Sequence, residues 1–197
     1  MTTAIIYDYE TLSSDPQTGV VLSMAALAFD ENRYTTDPYT YEELLEKAQY
    51  IKFNVEEQVR VYGRKIQKET VDWWAKQDKA AQHCLAPSDD DRSIADLPDF
   101  LRGLVADPKS VKRVYTRGNT FDPIFTESLL KVLRQPDPFH WRTVRDTRSF
   151  IEGLSWGTNL DNGFMVEGLE KKFVKHDPIH DIAMDVMRMQ VLVQAIS

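Results

Sequence analysis

Residues 4–11 read AIIYDYET, an apolar and β-branched run in which two carboxylates appear near the end. This composition predicts a buried strand. Side chains alternate across a strand, so Ile6, Asp8 and Glu10 should share one face while the odd-numbered residues take the other. Two anions about 6–7 Å apart on one face repel each other, which favours a cation beside them. Such oxygen ligands suit Mg²⁺ or Mn²⁺, although the same pair also occurs where a strand merely ends at a turn.

The composition and the net charge of the chain limit the classes of protein to which it can belong. Its 197 residues, 42% hydrophobic and 28% charged, predict one ordered domain spanning residues 1–197. No apolar run reaches the roughly 18 residues of a membrane span and no leader precedes the first strand, which predicts a cytoplasmic protein. The lone Cys84 fits a reducing compartment and leaves oxygen and histidine as the main metal ligands. A net charge of −7 disfavours a broad duplex-DNA surface, although bound divalent ions can supply positive charge at a nucleic-acid end.

The rest of the chain alternates between strand and helix patterns. Residues 19–30 form a second apolar run after a turn, which predicts a hairpin with the first strand. Further strands are predicted at residues 50–54, 111–115 and 139–144. Helices are predicted at residues 42–47, from 67 onward, at 94–105, 121–133 and 147–154, and from 177 toward the C-terminus. The adjacent Trp73 and Trp74 are interpreted as core anchors rather than as a surface for base stacking.

Two further acidic residues lie where helices are predicted to begin. Asp122 is followed by a proline, which is favoured at a helix start because its missing N–H is not needed there. An Asp-Pro pair at residues 177–178 marks the start of the last helix, with His176 just before it and Asp181 in its first turn. An acidic residue near a helix N-terminus also matches the helix dipole, so Asp181 alone has two interpretations.

Taken together, the motifs resemble those of the DEDD exonuclease superfamily, in the branch whose last motif carries a histidine. The first is YDYET at residues 7–11, close to that family's Asp-aromatic-Glu-Thr. The second is GNTFD at residues 118–122, where an Asn and a Phe-Asp pair lead into a helix. The last is HDPIHD at residues 176–181, with His and Asp five residues apart. The resemblance covers residue 5 to about residue 190 and implies a ribonuclease-H-like α/β fold, with a mixed five-stranded sheet flanked by helices.

The resemblance also implies an activity, a cofactor and a set of site residues. It implies a metal-dependent 3′–5′ exonuclease that releases nucleoside monophosphates from single-stranded DNA or RNA 3′ ends, with DNA favoured. Two Mg²⁺ ions, replaceable by Mn²⁺, would neutralise the phosphate and help to activate water. The implied metal ligands are Asp8, Glu10, Asp122 and Asp181, with His176 as general base. The implied substrate-binding residues are Thr11, Leu12, Asn119 and Phe121.

The sequence leaves several alternatives open. His180 and Asp185 repeat the five-residue spacing of His176 and Asp181. The latter pair is preferred because a base on the flexible entry to a helix can swing over a metal site. Alternative functions are an exoribonuclease, a hydrolase of small nucleotides, and a binding module on the same fold without catalysis. Retention of all four carboxylates argues against the last, because a metal-free protein would gain stability by losing their repulsion. A phage-encoded member would work in the host cytoplasm.

Overall fold

A mixed five-stranded sheet forms the centre of the computed structural model, which describes residues 4–197. Its strands are β1 (Ala4–Thr11), β2 (Val21–Phe29), β3 (Gln49–Lys52), β4 (Arg113–Thr116) and β5 (Val144–Asp146). They lie in the order β3-β2-β1-β4-β5, so β1 is the central strand. β2 is antiparallel to β1 and β3, whereas β4 is parallel to β1 and β5. The predicted hairpin and the mixed five-stranded sheet are confirmed.

Helices cover the sheet on each side. They are α1 (Arg33–Thr36), α2 (Tyr41–Lys47), α3 (Val55–Arg60), α4 (Lys68–Trp74), α5 (Leu97–Gly103), α6 (Asp122–Val132), α7 (Thr147–Leu154) and α8 (Pro178–Ile196). α8 begins at the predicted Asp-Pro pair, where the side chain of Asp177 accepts hydrogen bonds from the N–H groups of Ile179 and His180. It packs against β1, β2 and α7. No helix within residues 4–197 is long and apolar enough to cross a membrane.

The two faces of β1 contact different helices, as the alternation of its side chains predicts. Ile6 is buried in an apolar cluster with residues of α7 and α8. Ile5 and Tyr7 are buried in a second cluster with residues of α5 and α6. Burial of a large apolar side chain stabilises a protein by about 1.5–3 kcal/mol, so these clusters hold β1 firmly between the helices. The side chains of Asp8 and Glu10 follow Ile6 at alternate positions and lie on the same face of β1.

Several elements differ from those predicted, among them the following. The fifth strand covers residues 144–146 rather than 139–144, because the His140 side chain caps a short 3-10 helix over residues 141–143 and Phe139 is buried in the core. The helix predicted from residue 67 onward ends at residue 74. α3 is not foreseen by the sequence, because Asn54 matches the end of a strand. Its side chain instead accepts a hydrogen bond from the N–H of Glu57 and caps α3.

Candidate functional site

The end of β1 carries Asp8 and Glu10 into an open cleft. Glu10 is 8% exposed and Asp8 is half-buried. The register between β1 and β2 shifts between Glu10 and Thr11, and such an irregularity re-aims the side chains beside it. Burial raises the pKa of both carboxyl groups well above the usual range, and the charges of neighbouring carboxylates add to the rise.

Asp122 reaches the same cleft from the start of α6. It is 3% exposed, and its Oδ1 accepts a hydrogen bond of 3.2 Å from the backbone N–H of Tyr9. This bond ties the beginning of α6 to the strand that carries Asp8 and Glu10. Burial raises the pKa of Asp122 to about 7, while the Tyr9 N–H and the charge of Arg148 oppose the rise.

Asp181 and His176 enter the cleft together from the start of α8. Asp181 Oδ2 accepts a hydrogen bond of 3.0 Å from the backbone N–H of His176, which folds the residue before the helix back over its first turn. His176 has a φ of +65°, a left-handed conformation that costs a non-glycine residue about 1–3 kcal/mol. Burial raises the pKa of Asp181 to about 7, and the Asp185 charge adds to the rise. Burial also lowers the pKa of His176.

These five side chains share one opening, which we call the carboxylate cleft. Its volume is about 450 Å³, and its lining includes Asp8, Glu10, Asp122, His176 and Asp181. Ligand atoms of Glu10, His176 and Asp181 lie within 4.8 Å of one another. Carboxylate oxygens with one imidazole nitrogen are a suitable donor set for a divalent cation. Burial, together with repulsion between neighbouring carboxylates at Asp8, Glu10 and Asp181, raises the pKa of these carboxyl groups, and a bound cation would oppose that rise. The residues present therefore fit a divalent metal ion.

Neither member of the alternative pair, His180 and Asp185, lines the carboxylate cleft, although Asp185 lines a small cavity together with Asp8 and Asp181. Asp185 is 2% exposed. Its carboxylate accepts hydrogen bonds from Arg117 at 2.6 Å, Arg188 at 2.7 Å and Thr147 at 2.6 Å. His180 Nδ1 lies 2.9 Å from the hydroxyl oxygen of Tyr41. Both side chains are engaged in contacts that hold α8 to its neighbours.

A second cleft, which we call the side cleft, has a volume of about 360 Å³ and shares Tyr9, Glu10 and Phe121 with the carboxylate cleft. Its lining includes two of the predicted substrate-binding residues, Thr11 and Phe121. Asn119 is exposed and lines neither cleft. Leu12 is 8% exposed and packs in an apolar core cluster, and its role in substrate binding stays a prediction.

Trp73 is a candidate site residue that the sequence interpretation missed. Trp74 is 1% exposed and its Nε1–H donates to the Thr11 carbonyl at 2.8 Å, so it is the core anchor. Trp73 is 40% exposed, lines the side cleft, and has its ring centroid 4.8 Å from that of His176. The signal was present in the sequence: consecutive helical residues project about 100° apart, so two adjacent tryptophans on a helix face different surroundings.

Comparison with known proteins places these residues in a family. Residues 3–193 match the family model described as the 3′–5′ exoribonuclease Rv2179c-like domain. The chain is also 30% identical, over 202 residues, to the exodeoxyribonuclease of enterobacteria phage T4, and the match covers 94% of this chain and 86% of that protein.

Structures of E. coli exonuclease I share the fold. A complex with a dA16 oligonucleotide matches with a TM-score of 0.62 at 14% identity, and a zinc-bound complex with single-stranded DNA matches with 0.59 at 16%. Each match covers 98% of this chain, which spans only 41% and 40% of the length of those proteins. This likeness confirms the ribonuclease-H-like α/β fold. The chain therefore belongs to the 3′–5′ exoribonuclease Rv2179c-like family within the DEDD exonuclease superfamily, and it is a 3′–5′ exonuclease.

Proposed function

We propose that this 3′–5′ exonuclease removes nucleoside monophosphates from the 3′ ends of single-stranded DNA in a metal-dependent reaction. The observation that carries the proposal is the carboxylate cleft, where four acidic side chains and His176 line one opening. Such a cluster is electrostatically unfavourable by itself, so it is best explained by what it binds. The phage exodeoxyribonuclease and the exonuclease I complexes with DNA support the preference for DNA. The activity would reside in one domain formed by residues 1–197.

The four carboxylates would hold the divalent ions, for which we propose two Mg²⁺, with Mn²⁺ as a substitute. Ions held in this way neutralise the phosphate, lower the pKa of water and stabilise the leaving oxygen. The chain contributes by orienting the anions. The Tyr9 N–H orients Asp122, and the His176 N–H orients Asp181. Asp8 and Glu10 are carried by the central strand, whose two buried faces hold it in position.

We assign His176 the role of general base. Burial lowers its pKa from the ordinary value, which favours the neutral imidazole, and a neutral imidazole has a nitrogen that can accept a proton from the attacking water. Its backbone N–H is bound to Asp181, while its ring extends along the cleft beside Trp73. The position before α8 allows the ring to adjust without moving the helix.

We propose that the side cleft receives the 3′-terminal nucleoside. Trp73 and Phe121 supply aromatic surface there, and Thr11 and Ser13 supply polar atoms. Stacking on an aromatic side chain contributes about 1–3 kcal/mol per base and tolerates any sequence. Leu12 would support this cleft from the core. Asn119, on the exposed loop before α6, would contact the nucleic-acid strand.

The direct test uses single-stranded DNA and RNA of one sequence, labelled at either end and incubated with Mg²⁺, Mn²⁺ or EDTA. We expect the 3′ label to leave first as a mononucleotide, with either metal but not with EDTA, and faster from DNA. Asp8→Asn is the matched inactive control. A strand that ends in a 3′-phosphate should be a poor substrate, whereas a 5′-phosphate should have no effect on direction. Early release of the 5′ label, or full activity in EDTA, would contradict the proposal.

A second candidate function is that of an exoribonuclease, which the description of the matched family favours. The same assay separates the two activities, because faster shortening of RNA than of DNA would identify the protein as an exoribonuclease. Binding of either strand without cleavage in any metal would instead indicate a binding module on this fold.

A further inference from the structure

Cationic side chains line the carboxylate cleft of a protein whose net charge is −7. They are Arg117, Arg148 and Lys175. Arg117 is engaged, because its Nη1 donates to Asp185 at 2.6 Å and its Nη2 donates to Asn162 Oδ1 at 3.1 Å. Arg148 and Lys175 are exposed, and neither forms an ion pair within the part of the chain that the structure describes. Two cations beside the acidic cluster are therefore available to an anionic ligand.

Arg148 is placed at the cleft by the backbone around it. Its N–H donates to Asp146 Oδ1 at 3.1 Å, and the Ser149 hydroxyl donates to Asp146 Oδ2 at 2.7 Å. Both oxygens of Asp146 are therefore engaged in capping α7. Arg148 Nη1 lies 3.7 Å from the position that a β-carbon on Gly118 would take. Gly118 has a φ of +120°, which glycine adopts readily. The guanidinium group thus lies over the loop that leads to Asp122.

Lys175 reaches the cleft from a different segment, the loop before α8. It directly precedes His176, and its charge adds to the effect of burial in lowering the pKa of that histidine. Neither Lys175 nor Arg148 lines the side cleft. Both cations therefore line the carboxylate cleft but not the side cleft that we propose for the terminal nucleoside.

We propose that Arg148 and Lys175 bind the phosphate on the 5′ side of the scissile phosphate. This inference rests on the proposed function, in which the scissile phosphate lies at the carboxylates and the terminal nucleoside lies in the side cleft. In this arrangement the DNA upstream of the scissile phosphate leaves the carboxylate cleft past these two exposed cations. Exposed cations can pair with a phosphate without a large loss of hydration, and their charge offsets the repulsion between the strand and the four carboxylates.

The test removes the charge of one phosphate at a time. Three single-stranded oligodeoxythymidylates are compared: one fully charged, one with a neutral methylphosphonate at the linkage next to the scissile phosphate, and one with it several linkages further toward the 5′ end. The rate of the first cleavage is measured as kcat/KM. We expect the wild-type protein to lose about 3- to 30-fold on the second strand, because each of two exposed ion pairs contributes up to about 1 kcal/mol, and less than about 2-fold on the third.

Substitution of both cations should remove this sensitivity. In the Arg148→Ala/Lys175→Ala variant, the ratio of kcat/KM between the first and second strands should fall to about 1. General damage to the site affects both strands alike and cancels in the ratio. Arg145→Ala and Lys171→Ala are the matched controls, because both residues are exposed and lie outside the cleft lining. Both controls should keep the wild-type ratio.

Two outcomes would overturn the assignment while leaving the proposed function in place. One is a wild-type protein that cleaves the first and second strands equally well. The other is a double variant that keeps the wild-type ratio. A wild-type protein that removes no nucleotide from any strand overturns the proposed function and this assignment with it.

Discussion

Asp181 and Asp185 lie one turn apart on the same side of α8, yet their carboxylates are in opposite situations. Asp185 is 2% exposed and is surrounded by donors from Arg117, Arg188 and Thr147. Asp181 accepts a hydrogen bond from the backbone of His176 and lies beside Glu10. Asp185 is paired with two arginines, whereas Asp181 belongs to a cluster of acids whose pKa values are raised.

This difference shows that partners, rather than residue type or spacing, separate a structural acid from a functional one. A buried carboxylate that has all its donors supports the fold as long as every partner is present. Acids that face one another repel and destabilise the metal-free protein, so we expect their role to lie in what they bind. We therefore expect Asp185 to serve the packing of α8 and Asp181 to serve the function of the carboxylate cleft.

The largest effect on activity is expected from Asp181→Asn. It removes a proposed metal ligand, and we expect kcat/KM on single-stranded DNA to fall by more than about 10³-fold, or about 4 kcal/mol of transition-state stabilisation. The metal-free variant should be at least as stable as the wild type, because one of several crowded anions is gone. Asp89→Asn, at an exposed residue distant in sequence from the motifs, is the control. Near-normal turnover in Mg²⁺ would contradict the proposed role.

His176→Ala is expected to lower turnover by roughly 10²–10⁴-fold, the usual contribution of a general base, with metal affinity almost unchanged. Turnover is measured at saturating Mg²⁺, and affinity by calorimetric titration. His180→Ala is the matched control and should lose little beyond its contact with Tyr41. His176 lies within 4.8 Å of the ligand atoms of Glu10 and Asp181. If His176→Ala therefore loses metal affinity and turnover together, His176 is a metal ligand rather than a general base.

Asp185→Asn should affect stability more than chemistry. Removing the charge leaves two arginines without their shared partner, so we expect the free energy of unfolding to fall by about 3–5 kcal/mol. Urea denaturation followed by circular dichroism measures this change. The folded variant should lose much less activity than Asp181→Asn. Unchanged stability together with abolished activity would shift the catalytic pair by one turn, to His180 and Asp185.

The smallest expected effect is a pH dependence of stability in the metal-free protein. Burial raises the pKa of Asp122 and Asp181 from 3.8 to about 7. A raised folded-state pKa contributes stability below pH 4 that is lost as the pH rises through 7, so the protein in EDTA should be less stable at pH 8 than at pH 5, by on the order of 1–3 kcal/mol. Mg²⁺ should restore stability at pH 8, and Asp122→Asn should flatten the curve. A curve that is level in EDTA would contradict these pKa shifts.

Local patterns in the sequence were sufficient for the elements that carry the motifs. The first strand and the helix at residues 147–154 have the predicted bounds, and the last helix begins at its Asp-Pro pair. Strand alternation and helix capping depend on residues only a few positions apart, so the sequence displays them directly. The same locality led to the misplaced fifth strand, where Phe139 supplies an apolar pattern but packs in the core beside a 3-10 turn.

Only the tertiary structure decided which groups meet. Arg117 is 68 positions from Asp185, and Tyr9 is 113 positions from the Asp122 carboxylate to which it donates. The sequence pattern at residues 176–185 repeats one spacing and does not record that the second acid is neutralised by arginines. Likewise, the hydrogen bond to the Thr11 carbonyl and the apolar cluster with Leu12 and Leu22 buried Trp74, while Trp73 stayed in the side cleft. The charge state and exposure of a side chain depend on neighbours brought together by the whole fold, which is why they could not be obtained from local spacing.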